Sequence, residues 1–98
     1  MIHNLFDITG KKAIVTGGTR GLGFGMAEGL LEAGCEVCIV GSSEKSVAGA
    51  VAKFQEKGFA CQGVHGDMSV REEIYRVFQE ALTKLGSDLD ILVVAHGI

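Results

Sequence analysis

Thr16-Gly17-Gly18-Thr19-Arg20-Gly21-Leu22-Gly23 is the stretch whose residue types and spacing could do chemistry. It follows a short β-branched run, Lys12-Ala13-Ile14-Val15-Thr16, and precedes residues of helical spacing from Leu22 to Ala33. A turn from strand into helix presents free backbone N–H groups and the positive end of the helix dipole, which suits a pyrophosphate. Glycine lets the backbone turn tightly and approach such a ligand. Gly21, Gly25 and Gly29 recur every fourth residue, which leaves one helix face bare for close packing on strands or on a ligand. A tight strand-to-helix turn with packing glycines is the plainer alternative. A P-loop is excluded, because no Gly-Lys-Ser/Thr follows.

Other candidate residues carry less. Cys35-Glu36-Val37-Cys38 has the CxxC spacing, but it leads into an apolar strand rather than a helix N-terminus. Residues three apart on a strand face opposite sides, so burial as small hydrophobes is the better reading. Cys61 stands alone, and the odd cysteine count does not suggest a disulfide framework. His3 and His65 have no partners at metal-ligand spacing, so no metal is expected.

The elements that must position the turn alternate along the chain. Lys12–Thr16 reads as a buried strand. Leu22, Met26, Leu30 and Ala33 share a helical face, and Gly34 ends that helix. Val37–Val40 is a second apolar strand. Ser42 or Ser43 caps a helix carrying Val47, Val51 and Phe54, which ends at Gly58. Phe59 to His65 reads as a third strand. Ser69-Val70-Arg71-Glu72 has the capping-box pattern and opens a helix with Ile74, Val77, Phe78, Ala81, Leu82 and Leu85 on one face. Asp90 leads into a fourth strand, Ile91–Val94. Alternation of this kind implies an α/β fold with a parallel sheet and right-handed crossovers. Continuously apolar strands imply burial on both faces.

Length and composition narrow the function. The chain has 98 residues, 47% hydrophobic, with 15 Gly and no Pro. Its net charge of −3 is spread along the chain. No basic stripe tracks a phosphate backbone, so nucleic acid is not an expected partner. No apolar run approaches the roughly 20 residues of a membrane span. Met1 to Asp7 lacks the basic start and apolar core of a signal peptide, so a cytoplasmic protein is expected.

Read as Thr-Gly-x-x-x-Gly-x-Gly, the turn resembles the short-chain dehydrogenase/reductase family. The resemblance extends to Asp67 after the third strand and to Asp90-Ile91-Leu92-Val93-Val94-Ala95-His96-Gly97-Ile98. The opening Asn4-Leu5-Phe6-Asp7-Ile8-Thr9-Gly10-Lys11 is similar to gluconate 5-dehydrogenases and 3-oxoacyl-carrier-protein reductases of that family. The resemblance implies a Rossmann-like doubly wound parallel sheet, with strand order 3-2-1-4 in the part present and further strands beyond the fourth. Residues 1–98 would then be the N-terminal dinucleotide-binding part of one incomplete domain. It also implies that Gly17, Gly21, Leu22 and Gly23 hold a pyrophosphate, that Thr19 contacts the adenosine ribose, and that Asp67, with Met68 beside it, accepts from the adenine. A turn residue before Ser69 is the plainer reading of Asp67.

The family's fourth strand ends in Asn-Asn-Ala-Gly, where this chain has Val94-Ala95-His96-Gly97. Ala95 and Gly97 are carried over as cofactor contacts, and His96 as a residue lining the cleft, with a general-base role as the lesser alternative. An acid at the end of the second strand would favour NAD. Here Val40-Gly41-Ser42-Ser43 has none, and Arg20 lies where NADP-dependent relatives carry a basic residue. Ser42, Ser43 and Arg20 would hold a 2′-phosphate, so NADP is favoured over NAD. A solvated loop charge is the alternative for Arg20.

The family's hydride transfer between nicotinamide and a carbonyl or alcohol uses Ser, Tyr and Lys, the last two as Tyr-x-x-x-Lys. Tyr75 is the only Tyr, and Gln79 stands four residues on, so no catalytic residue is assigned. The expectation is cofactor binding within a larger oxidoreductase acting on a sugar acid, polyol or 3-oxoacyl substrate, a homo-oligomer when full length. The 98 residues alone would be inactive, and their apolar fourth strand would promote association. A non-catalytic dinucleotide sensor is the alternative. A methyltransferase would place an acid where Gly41 stands.

Overall fold

The computed structural model describes residues 8–95. The opening at Asn4–Asp7, His96 and Gly97 lie outside them, as do the roles expected of His96 and Gly97. The chain order is β1 (Lys12–Thr16), α1 (Gly21–Glu32), β2 (Glu36–Gly41), α2 (Glu44–Glu56), β3 (Cys61–His65), α3 (Arg71–Lys84) and β4 (Ile91–Val94). All pairings are parallel and the strand order is β3-β2-β1-β4, as the alternation and the family resemblance together imply. The third strand begins two residues after Phe59, because Cys61 N donates to Phe59 O and the chain turns there.

Two cores flank the sheet. Ala13, Val15, Val37, Ile39 and Cys61 face α1 and α2, where Ala27, Leu31, Ala50 and Phe54 pack against them. Ile14, Cys38, Val40 and Val64 face α3 through Val77, Ala81 and Leu85. Cys35 and Cys38 thus fall in opposite cores, as their strand spacing implies. Burial pushes the Cys38 thiol up to about 11 and that of Cys61 to about 12, so both are protonated near neutrality.

Several local expectations are corrected. Leu22, Met26, Leu30 and Ala33 do not form the buried face of α1. Leu22 is 65% exposed and Met26 40%, while Gly23, Ala27 and Leu31 are buried. Close approach is required at the start of that face, where a Cβ at Gly23 would lie 2.0 Å from Gly17 O, and the helix so placed turns Leu22 and Met26 outward. The Gly21, Gly25 and Gly29 stripe does not pack on strands either. Gly25 and Gly29 are exposed, and a Cβ added at either would meet nothing within 4 Å.

Ser69 does not cap α3. Its amide and hydroxyl both donate to Asp67 Oδ1, at 2.9 and 2.5 Å. Val70 N also donates to Asp67 O at 3.1 Å, so Ser69 sits inside the Asp67 turn one residue ahead of the helix, and the N-cap position falls to Val70, which makes no side-chain cap. Nor is every strand buried on both faces. β1 and β2 are, but among the described residues β4 pairs only with β1, and Leu92 and Val94 on it are 50% and 61% exposed.

Candidate functional site

The glycine turn sits at the paired carboxyl ends of β1 and β2. Gly17 N donates to Val40 O at 2.8 Å and Gly18 N to the same carbonyl at 3.3 Å, so the turn is tied to the end of β2. Gly17 (φ 72°) and Gly21 (φ 61°) take the left-handed backbone that L side chains resist, which is what the two motif glycines supply. Gly23 does a different job. A Cβ there would lie 2.0 Å from Gly17 O, so its bareness lets α1 start directly against the turn. On the other side Ala95 N donates to Thr16 O at 3.2 Å, which holds the end of β4 beside β1.

These constraints open a groove of about 580 Å³ lined by Thr16, Gly17, Thr19, Arg20, Gly21, Leu22, Val40, Gly41, Ser42, Met68 and Ala95. Sequence reasoning singled out Gly17, Thr19, Arg20, Gly21, Leu22, Ser42, Met68 and Ala95 as cofactor-binding, and the fold brings these together. Thr16, Val40 and Gly41 were missed as lining residues. Their signal was positional: each closes a parallel strand, and ligands of open α/β sheets sit beyond strand carboxyl ends.

Gly23, Ser43 and Asp67 lie outside the lining. Gly23 is buried behind the turn. Ser43 caps α2, its hydroxyl oxygen accepting from Ser46 N at 3.3 Å. The Asp67 carboxylate closes its own turn, and the Ser69 hydroxyl and amide hold it below the usual carboxylate range. The turn geometry of the plainer reading is therefore present at Asp67.

The three helix starts differ in how their orphan amides are served. α2 has the Ser43 cap and Glu44 in its first turn. α3 has Glu72 and Glu73 in its first turn. α1 has neither: its N-cap is Arg20, in extended backbone with no side-chain cap, and its first turn holds no acid. The first amides of α1 and the positive end of its dipole therefore open into the groove. Exposed Arg20 adds a cation at its rim.

Gly41 sets the character of the β2 end. A Cβ there would come within 2.7 Å of Thr19 Cγ2 and 3.0 Å of Val47 Cγ2, so a larger residue would displace Thr19. The groove thus offers backbone amides, hydroxyls and one guanidinium, with no carboxylate among its lining residues. Among the described residues no three His, Cys, Asp or Glu side chains gather as metal ligands. No described helix is long and apolar enough to cross a membrane.

Comparison with known proteins agrees with this arrangement. The family model for short chain dehydrogenase matches residues 11–98. A 2-dehydro-3-deoxy-D-gluconate 5-dehydrogenase of Formosa agariphila is 34% identical over 99 aligned positions, covering 100% of this chain and 37% of that protein. The rhamnolipids biosynthesis 3-oxoacyl-[acyl-carrier-protein] reductase of Pseudomonas aeruginosa is 39% identical, covering 94% of this chain and 35% of that protein. Among solved structures, the Pseudomonas aeruginosa RhlG/NADP active-site complex superposes with a TM-score of 0.85 at 36% identity, covering 98% of this chain and 38% of that one. The chain thus spans little more than a third of the relatives it matches. With its glycine turn, its sheet order and a family match running from Lys11 to Ile98, the chain belongs to the short-chain dehydrogenase family.

Proposed function

We propose that this chain binds a nicotinamide dinucleotide in the groove at the carboxyl ends of β1 and β2, NADP(H) in preference to NAD(H). It serves as the cofactor-binding part of an oxidoreductase. The observation that carries the reading is the start of α1, with neither cap nor acid, opening into a glycine-walled groove of about 580 Å³. A pyrophosphate supplies the acceptors those amides lack. Gly17, Gly21 and Leu22 hold it through backbone groups, with Gly23 keeping α1 close enough for them to converge. Thr19 meets the adenosine ribose, and Asp67 and Met68 lie on the adenine side. Ala95 borders the nicotinamide side.

The choice of NADP rests on the end of β2. Gly41 is held small by Thr19 and Val47, so no acid stands there to take the ribose 2′-hydroxyl. Arg20 and Ser42 both line the groove, with Ser43 one residue on, and they suit a 2′-phosphate. The matched Pseudomonas aeruginosa complex holds NADP. Bound nicotinamide supplies the hydride acceptor or donor. The protein's part within these residues is to bind and orient it. The acid/base group and the substrate, a sugar acid, polyol or 3-oxoacyl compound, belong to chain beyond these residues. The full-length protein is a cytoplasmic homo-oligomer in this reading.

Titration by nucleotide fluorescence tests it. The chain enhances NADPH emission, binds NADH more weakly, and ignores S-adenosylmethionine. Arg20→Ala weakens NADPH by about ten-fold or more, the worth of a hydrogen bond to a charged group, and leaves NADH little changed. Equal affinities for the two nucleotides, or equal losses in the variant, would remove the NADP preference. Tight S-adenosylmethionine binding would overturn the dinucleotide reading itself.

A further inference from the structure

The outer edge of β3 carries an arrangement that the groove does not use. In a parallel pair, alternate residues of a strand send their backbone groups to the neighbour and the others send theirs away. Val37 N donates to Ala60 O at 3.0 Å and Gly66 N to Gly41 O at 3.0 Å, which fixes the even-numbered residues of this stretch as the ones facing β2. The carbonyls of Cys61, Gly63 and His65 therefore point outward. Each accepts from a side chain of a flanking helix: Gln55 Nε2 to Cys61 O at 2.9 Å, Lys84 Nζ to Gly63 O at 2.9 Å, and an Arg76 guanidinium nitrogen to His65 O at 2.8 Å. One donor comes from α2 and two from α3, so the clamp closes over the edge from both faces of the sheet. Arg76 is held in place by Glu73 and Glu80 of its own helix. Gln55 and Lys84 wall a depression of about 370 Å³ over the strand.

We propose that Gln55, Arg76 and Lys84 form a seal that makes β3 refuse an added strand, so that association of this chain with copies of itself uses other surfaces. An incoming strand needs acceptors as well as donors along the edge, and all three outward acceptors of β3 are occupied by the protein's own side chains. Bare strand edges template pairing, and charged side chains over an edge prevent it.

The test uses the chain with Gln55→Leu and Lys84→Met together, which keeps side-chain bulk, removes two donors and leaves Arg76 and its carboxylates intact. The probe is a labelled synthetic peptide of residues 59–66, its uptake read by fluorescence anisotropy. Amide hydrogen exchange at Gly63 and His65 reports whether uptake occurs at β3 rather than at β4. The unsealed variant takes up the peptide about ten-fold more tightly than the parent, the worth of two modest hydrogen bonds, and exchange at Gly63 and His65 slows. Lys84→Arg, which keeps the donor, behaves as the parent. A variant with the parent's circular dichroism and melting curve that shows no added uptake and no slowing overturns the proposal. So does a parent chain that binds the peptide at β3 as readily as the variant. If the double variant does not fold, Lys84→Met alone is read the same way.

Discussion

Gly23 and Gly25 sit on the same turn of α1 and face opposite demands. A Cβ at Gly23 would be driven into Gly17 O, whereas one at Gly25 would meet open space within helical backbone. Gly23→Ala is expected to cost about 1–3 kcal/mol as an overpacking substitution and to weaken nucleotide binding with it, since the turn must move. Gly25→Ala is expected to stabilise the chain by about 0.5–1 kcal/mol through the lower backbone entropy of alanine. Urea unfolding of both variants checks the pair, and equal effects would show that α1 does not lie where it is described. The spacing of Gly17, Gly21 and Gly23 was legible in the sequence, because a turn from strand to helix has few solutions. The direction of Gly25 and Gly29 was not, since periodicity names a face without saying what lies opposite it. Gly41 could be read only as a missing acid. That a side chain there would have to displace Thr19 needs three dimensions.

At the scale of elements, α1 and α2 meet through an aromatic pair. The Phe24 and Phe54 rings stack with centroids 4.6 Å apart, and Phe54 is fully buried. Phe54→Ala is expected to cost about 3–5 kcal/mol. A double-mutant cycle with Phe24→Ala should show a coupling of about 0.5–1.5 kcal/mol; a coupling near zero would mean that the two helices are not locked through this contact. The sequence marked Phe54 as core by its spacing from Val47. It did not mark Phe24, because Leu22, Met26 and Leu30 look more apolar than the Gly23, Ala27 and Leu31 face that is buried. The Ser69 cap failed for a related reason. Capping-box spacing identifies a competent acceptor, but the turn that Asp67 closes takes in Ser69, and the helix starts one residue later than that spacing needs. The Ser43 cap, with no such competitor two residues before it, forms as its position implies.

For the whole molecule, the two sheet edges contrast. β3 is clamped by side chains of α2 and α3. Among the described residues β4 pairs only with β1, and Leu92 and Val94 on it are at least half exposed. The 98-residue chain is therefore expected to self-associate through β4, and Leu92→Lys to shift it toward monomer at a stability cost within about 0.5 kcal/mol, as for other half-exposed surface positions. Sedimentation velocity over a concentration series reads this. A parent chain that stays monomeric throughout would show that the β4 edge is not adhesive. The sheet order was legible once the alternation of elements and the family resemblance were combined.

The claim at the centre is that a nicotinamide dinucleotide lies along the carboxyl ends of β1 and β2. Backbone amide NMR of the labelled chain during titration with NADPH reads it most directly. The expected result is saturable shifts concentrated at Gly17 to Gly23, at Gly41 to Ser43 and at Met68 and Ala95, with β3 and the body of α3 undisturbed. Shifts centred on the depression between α2 and α3, or none at saturating nucleotide in a folded chain, would contradict it.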